Sequence, residues 1–214
     1  MLLRADHRIK LDDTDDKLFY DYPRFVTHVD EGFIQQLTDL YLQRLKPNTR
    51  IFDMMSSWVS HLPEMEFDHV EGHGLNAEEL ARNPRLNHYF VQNINTKPQL
   101  PLADQSFDAV INCVSVQYIQ YPEAVFSEIH RILKPGGVAI ISFSNRMFYQ
   151  KAIQIWRDAS ESSRVELVKG YFASMNGFTT PEVVVNRPTA PNFLQWLGLP
   201  GGDPFYAVIA HRLE

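Results

Sequence analysis

Phe107-Asp108-Ala109-Val110-Ile111-Asn112-Cys113 is a short apolar run of the kind that sits in mid-sheet, and Val138-Ala139-Ile140-Ile141-Ser142-Phe143 is a second. Between them, Pro122 opens a helical pattern that runs through Ile129, Ile132 and Leu133 and is closed by Lys134-Pro135-Gly136-Gly137. A strand, a covering helix and another strand imply a right-handed crossover and a parallel pair. These residues decide the fold class.

The same rhythm extends upstream. Arg50-Ile51-Phe52-Asp53-Met54 reads as a strand, a short helix is expected near Trp58 to Leu62, and Phe67 to Gly72 reads as the next strand. Asn76-Ala77-Glu78-Glu79 has capping-box form and should open a helix before the strand Tyr89-Phe90-Val91-Gln92. From Asp30, the residues Phe33, Ile34, Leu37, Leu40, Tyr41 and Leu45 recur at helical spacing until Pro47-Asn48. Downstream, helices are expected across Met147 to Met175. Glu182 to Asn186 and Phe205 to Ala210 then read as two strands with no helix between them, joined by a linker containing the turn sequence Gly201-Gly202-Asp203-Pro204. Such a pair can close antiparallel at a sheet edge. The fold class is α/β, with the sheet covered on both faces.

The chain has 214 residues, 44% hydrophobic and 21% charged, which suits one globular domain and gives no support to disorder or a fibrous repeat. A formal charge of -6 argues against nucleic acid as a partner. No run of about 18 apolar residues is present, so no membrane partner is expected. The first eight residues lack the apolar core of a signal peptide, and Cys113, the lone cysteine, cannot form an internal disulfide. The expected location is the cytoplasm, with import into an organelle also compatible. Oligomeric state is not legible. The polar stretch through Asp16 reads as a loosely held arm within an N-terminal arm or lid, residues 1–29, ahead of a single domain, residues 30–214.

Leu100-Pro101-Leu102-Ala103-Asp104-Gln105-Ser106-Phe107-Asp108-Ala109-Val110, followed by Glu128-Ile129-His130-Arg131-Ile132-Leu133-Lys134-Pro135-Gly136-Gly137, resembles the class I S-adenosylmethionine-dependent methyltransferases of the type 11-like kind. The resemblance runs from about Arg50 to the end of the chain. It implies a Rossmann-like three-layer αβα sandwich around a mostly parallel seven-stranded sheet with an antiparallel C-terminal hairpin. It also implies S-adenosylmethionine as cofactor, S-adenosylhomocysteine as product and a small-molecule methyl acceptor as partner. The alternative is a catalytically silent methyltransferase-like domain that binds a ligand or partner protein.

The chain departs from the family in the cofactor half. Asp53 keeps the acid that usually ends the first strand, but Met54-Met55-Ser56-Ser57-Trp58-Val59-Ser60-His61 replaces the Gly-x-Gly loop. In this it resembles a divergent subgroup with Ser-Ser-Trp at that place. Gly74 stands where an acid commonly takes the ribose hydroxyls. Asn93 stands where an acid takes the adenine amino group, and its carbonyl oxygen can accept the same hydrogen bond. The resemblance therefore assigns cofactor contacts to Asp53, Ser56, Ser57, Trp58, Gly72, Gly74, Asn93, Ile94 and Cys113. Ser56 and Ser57 offer hydroxyls in place of lost backbone contacts, and Trp58 offers an aromatic face to the sulfonium. The opposing reading has Met55 and Trp58 filling an emptied cleft.

Methyl transfer needs positioning more than acid or base catalysis, so no catalytic residue is fixed by the chemistry. His61, Gln117, Tyr118 and His28 are the catalytic candidates, from their places beside the expected cleft. Tyr20, Tyr22, Arg24, Ser115, Asn145 and Arg146 are candidates for holding the acceptor. His69 and His73 have the spacing of a helical metal pair, but they fall on a strand and loop without accompanying ligands, so no metal is expected. Ser56 to Ser60 lack the flanking glycines of a nucleophile elbow.

Overall fold

The computed structural model describes residues 2–188 and 202–214. Seven strands form one sheet in the order β3-β2-β1-β4-β5-β7-β6. They are β1 (Arg50–Asp53), β2 (His69–Gly74), β3 (His88–Val91), β4 (Phe107–Cys113), β5 (Leu133–Phe143), β6 (Glu182–Asn186) and β7 (Phe205–His211). The first five run parallel, and β7 inserts antiparallel between β5 and β6. The expected sheet, including its C-terminal reversal, is present.

Alternation along the strands builds two cores. Ile51, Ala109, Ile111, Val138 and Ile140 face α2 (Glu31–Arg44), which buries Phe33, Leu37, Leu40 and Tyr41 against them. Phe52, Val110, Ala139, Ile141 and Phe143 face the opposite way, onto α4 (Pro122–Ile132) and α6 (Glu161–Ala173), with Trp156 of α5 (Gln154–Asp158). That two-sided burial is why the central strands carry continuous apolar runs. The remaining helices are α1 (Asp16–Phe19) and α3 (Ala77–Ala81).

Several boundaries differ from the sequence reading. No helix forms near Trp58 to Leu62; Met55 and His61 adopt left-handed backbone conformations, which a helix cannot continue through. The second strand lies two residues later than expected, ending at Gly74. Lys134 to Gly137 do not precede the fifth strand but form an irregularity inside β5, where the pairing with β4 shifts register between Phe107 and Ala109. Residues 147–153 are irregular ahead of α5. Gly201 of the expected turn lies outside the described residues, while Asp203 donates its N–H to Asp30 and accepts that of Asp30 in return, at 2.6 and 2.8 Å. This exchange clasps the start of α2 to the entry of β7.

The N-terminal arm is not loose. Arg8 is buried, donates to the Gln120 carbonyl and pairs with Glu123. Lys10 pairs with Asp16 at 2.6 Å. Lys151, fully buried, lies 3.1 Å from Asp12 and 3.5 Å from Asp16 and donates to the Thr14 carbonyl at 2.9 Å. Arg8, Lys10 and Asp16 of this polar stretch are thus buried in ion pairs, while Arg4, Asp6, Asp13, Asp15 and Lys17 face solvent.

Candidate functional site

Where β1, β2, β3 and β4 end, a cavity of about 390 Å³ opens, with residues from Tyr20 to Val29 across it. Clefts at the C-terminal ends of parallel strands are the usual ligand sites of such sheets, and this volume lies in the small-molecule range.

Asp53 ends β1 inside this cavity, 3% exposed. The Ser56 hydroxyl donates to its Oδ2 at 2.6 Å. Burial pushes the Asp53 carboxyl up to about 6, partly offset by hydrogen bonds from the Ser56 and Ser60 hydroxyls. No Lys or Arg pairs with it among the described residues. Asn83 secures the loop from behind, donating to the Ser57 carbonyl at 2.9 Å and to Ser60 Oγ at 2.8 Å.

The glycine-less loop is locked by the neighbouring strand. His73 Nδ1 accepts the Met55 N–H at 3.1 Å, its carbonyl accepts the Ser56 N–H at 2.6 Å, and its Nε2 donates to the Gln92 carbonyl at 2.9 Å. Burial lowers the imidazole to about 4, so it stays neutral in the tautomer these bonds require. A Cβ on Gly74 would lie 2.6 Å from the Ser56 carbonyl oxygen, so a ribose-binding acid cannot stand there without moving the loop. The nearest cavity carboxylate along the chain is Glu79. It does not return to Asn76 to close the capping box; it accepts the Arg24 N–H at 2.7 Å. Asn76 caps α3 with its oxygen and donates from its amide nitrogen to the carbonyls of Tyr20 and Asp21.

Of the residues assigned to the cofactor, Asp53, Ser56, Ser57, Gly74, Asn93, Ile94 and Cys113 line the cavity. The Asn93 oxygen takes the Asn95 N–H at 3.0 Å, and its amide nitrogen donates to Asp15 at 3.2 Å. Burial pushes the Cys113 thiol up to about 12, which leaves it protonated and unreactive. Trp58 and Gly72 do not line it. Trp58 lies outside the wall, donating to the Val26 carbonyl at 3.2 Å and packing edge-on against Phe25. Gly72 sits within β2, where a Cβ would strike Leu86.

Among the catalytic candidates, His61, Tyr118 and His28 line the cavity, whereas Gln117 is buried behind it and donates to the Val114 carbonyl. Burial lowers the pKa of both His61 and His28. Of the acceptor candidates, Tyr20, Arg24, Ser115 and Arg146 line it, with Arg146 engaged by Asp203 at 2.7 Å. Tyr22, 78% exposed, and Asn145 point elsewhere. The sequence reading missed His73, Glu79, Val114 and Phe148. Val114 has a legible signal only in retrospect: a β-branched residue at φ +47° is a strained conformation, and it shares this cavity with Met55 and His61 at φ +58° and +53°. Among the described residues, no group of three His, Cys, Asp or Glu is arranged to hold a metal ion, and no helix is long and apolar enough to cross a membrane.

The family model described as Methyltransferase domain matches residues 60–141, a stretch that starts after the Ser-Ser-Trp loop. A malonyl-[acyl-carrier protein] O-methyltransferase of Marinomonas sp. is 24% identical over 102 residues, 48% of this chain and 38% of that protein. The chain thus spans well under half the length of that curated relative. An S-adenosylmethionine-dependent methyltransferase from Mesorhizobium loti superposes with TM-score 0.54 at 18% identity, covering 81% of this chain and 96% of that one. Haemonchus contortus phosphoethanolamine N-methyltransferase 2, solved with phosphomonomethylethanolamine and S-adenosylhomocysteine, gives 0.57 at 17% identity, covering 84% and 53%. The fold is that of the class I methyltransferases, and the resemblance to them holds in sequence through the matched segment.

Proposed function

We propose that this chain binds S-adenosylmethionine in the cavity above β1 to β4 and transfers its methyl group to a small-molecule acceptor in the cytoplasm. The observation that carries this reading is Asp53: a buried carboxylate facing a ligand-sized cavity, answered by hydroxyls and by no cation among the described residues. A cationic ligand would supply the missing charge. S-adenosylmethionine has an ammonium and a sulfonium to offer, and when bound it supplies an electrophilic methyl group.

The donor set fits in part. Asn93 keeps a lone pair for an adenine amino group, beside Ile94 as an apolar wall. Ser57, Gly74 and Cys113 complete the cofactor side. Glu79 is the carboxylate available to ribose hydroxyls, because Gly74 excludes one at the usual place. Trp58 and Gly72 would act through the loop and strand they pack, not by contact.

One observation favours the second reading, a silent ligand-binding domain. The Met55 and Ser56 amides are already satisfied by His73, so they have no donor left for a ligand. Thermal unfolding with S-adenosylmethionine and S-adenosylhomocysteine tests binding. At about 100 times its dissociation constant either ligand should add roughly 2.7 kcal/mol. No shift with either compound would sink the first reading.

A further inference from the structure

The acceptor side of the cavity is built around Phe148. Its ring centroid lies 5.2 Å from His28, 6.2 Å from Tyr20 and 6.2 Å from Tyr118, the last nearly parallel at 27°. Over this group sits the Arg24 guanidinium, 5.8 Å from the Tyr20 centroid and 5.6 Å from that of Phe148. The cavity wall holds two arginines. Arg146 is paired with Asp203, whereas Arg24 forms no ion pair among the described residues and donates only to the carbonyls of Phe19 and Tyr22. Glu79 lies on the Arg24 backbone amide.

A second donor stands beside it. The Tyr118 oxygen accepts the Phe148 N–H at 2.8 Å, so its own hydroxyl hydrogen remains to be given. Burial pushes this phenol up to about 12, so it stays a donor at neutral pH. Flat rings, one guanidinium without a carboxylate and one phenolic donor together recognise a planar anion. A cationic amine would meet Arg24 at close range, and the acids lining this side are already engaged, Asp16 by Lys10 and Lys151 and Glu79 by the Arg24 amide.

Resting on the methyltransferase reading, we infer that the acceptor is a small aromatic carboxylate, its ring against Phe148 and Tyr118 and its charge on Arg24. The reaction then balances without a base. A carboxylate oxygen lone pair forms the O–CH₃ bond as the S–CH₃ bond breaks, its electron pair stays on sulfur, and the sulfonium and carboxylate charges cancel into a neutral thioether and methyl ester.

The test uses isothermal titration of the full chain with benzoate, benzylamine and cyclohexanecarboxylate, each with and without S-adenosylhomocysteine. Benzoate should bind at least tenfold more tightly than either of the others. Arg24→Gln should weaken benzoate at least tenfold and Tyr118→Phe several-fold. Binding of benzylamine or cyclohexanecarboxylate as tight as that of benzoate would overturn the inference, as would an Arg24→Gln variant that binds benzoate unchanged. A response to S-adenosylhomocysteine with none to benzoate overturns the acceptor class alone. Benzoate binding without any response to S-adenosylhomocysteine overturns the cofactor reading and keeps the anion site.

Discussion

His73 holds Met55: the amide hydrogen of the loop residue lies on the buried imidazole Nδ1 at 3.1 Å. One strand residue thereby fixes the shape of the loop beneath Asp53, and their opposite titrations can be separated.

His73 titrates near 4 in the fold against about 6.5 when unfolded, so its contribution is complete above 6.5 and is lost as the pH falls towards 4. Asp53 titrates near 6 against 3.8, so its contribution is complete below 3.8 and is lost as the pH rises towards 6. Each shift corresponds to about 3 kcal/mol, and over most of the window they oppose. Asp53→Asn removes one of them. The variant should be more stable than the wild type at pH 7 by up to about 3 kcal/mol and should lose stability on acidification from 6.5 to 4. Urea denaturation at a series of pH values reads both effects; equal stability of variant and wild type at pH 7 would show that Asp53 carries no burial strain. The same variant should lose its thermal response to S-adenosylmethionine.

The two glycines of β2 should not respond alike to alanine. At Gly74 the new Cβ meets backbone, the Ser56 carbonyl oxygen at 2.6 Å, while at Gly72 it meets the end of the Leu86 side chain, which can turn away. Gly74→Ala should cost about 1–3 kcal/mol and weaken ligand binding, because the loop that lines the cavity must move. Gly72→Ala should cost less and leave binding near the wild-type value. Denaturation midpoints and ligand titration of the pair decide it, and equal effects at both sites would contradict the loop placement.

How much of this was legible beforehand follows from which interactions are local. Phe107 to Cys113, Pro122 and the final strand pair carried their own signals, because two-sided burial and helix starts are written in neighbouring residues. The absent helix at Trp58 to Leu62 was not legible, since what shapes the segment is non-local: Asn83 holds the Ser57 carbonyl and the Ser60 hydroxyl, and His61 takes a left-handed backbone. The arm misled for a similar reason. Lys10, Asp12 and Asp16 read as part of a loose polar arm until the fold brings Lys151 to Asp12 and Asp16 from more than 130 residues away. The resemblance pointed to Asp53 and Asn93, which line the cavity, whereas Glu79 and Phe148 needed the arm to be placed first.

That arm offers its own test. Lys151 is fully buried and its partners are Asp12, Thr14 and Asp16, so truncating it removes the one buried cation that ties Asp12 and the Thr14 carbonyl to the core and leaves Asp16 to Lys10. Lys151→Met should destabilise the chain by about 1–3 kcal/mol and expose residues 8–20 to limited proteolysis, whose sites mass spectrometry would locate. Cleavage spread evenly over the chain, or none, would mean that the arm is not held by this network.

His61 separates backbone strain from side-chain chemistry. It sits at φ +53° beside the cavity, its carbonyl accepts the Thr38 hydroxyl at 3.1 Å, and its ring has no hydrogen-bond partner among the described residues. Asparagine tolerates a left-handed backbone and valine adopts one only under strain, as at Val114, so the two substitutions differ chiefly in strain. His61→Asn should stay within about 0.5 kcal/mol of the wild type, because the ring it removes makes no buried hydrogen bond. His61→Val should cost about 1–3 kcal/mol. If instead both lose the same stability, the ring's packing outweighs the backbone, and the conformation at 61 is a consequence of the loop and not a constraint on it. If the order holds, the strain at Met55, His61 and Val114 belongs to the shape of the cavity, and relieving it at His61 should be felt in ligand binding before it is felt in stability.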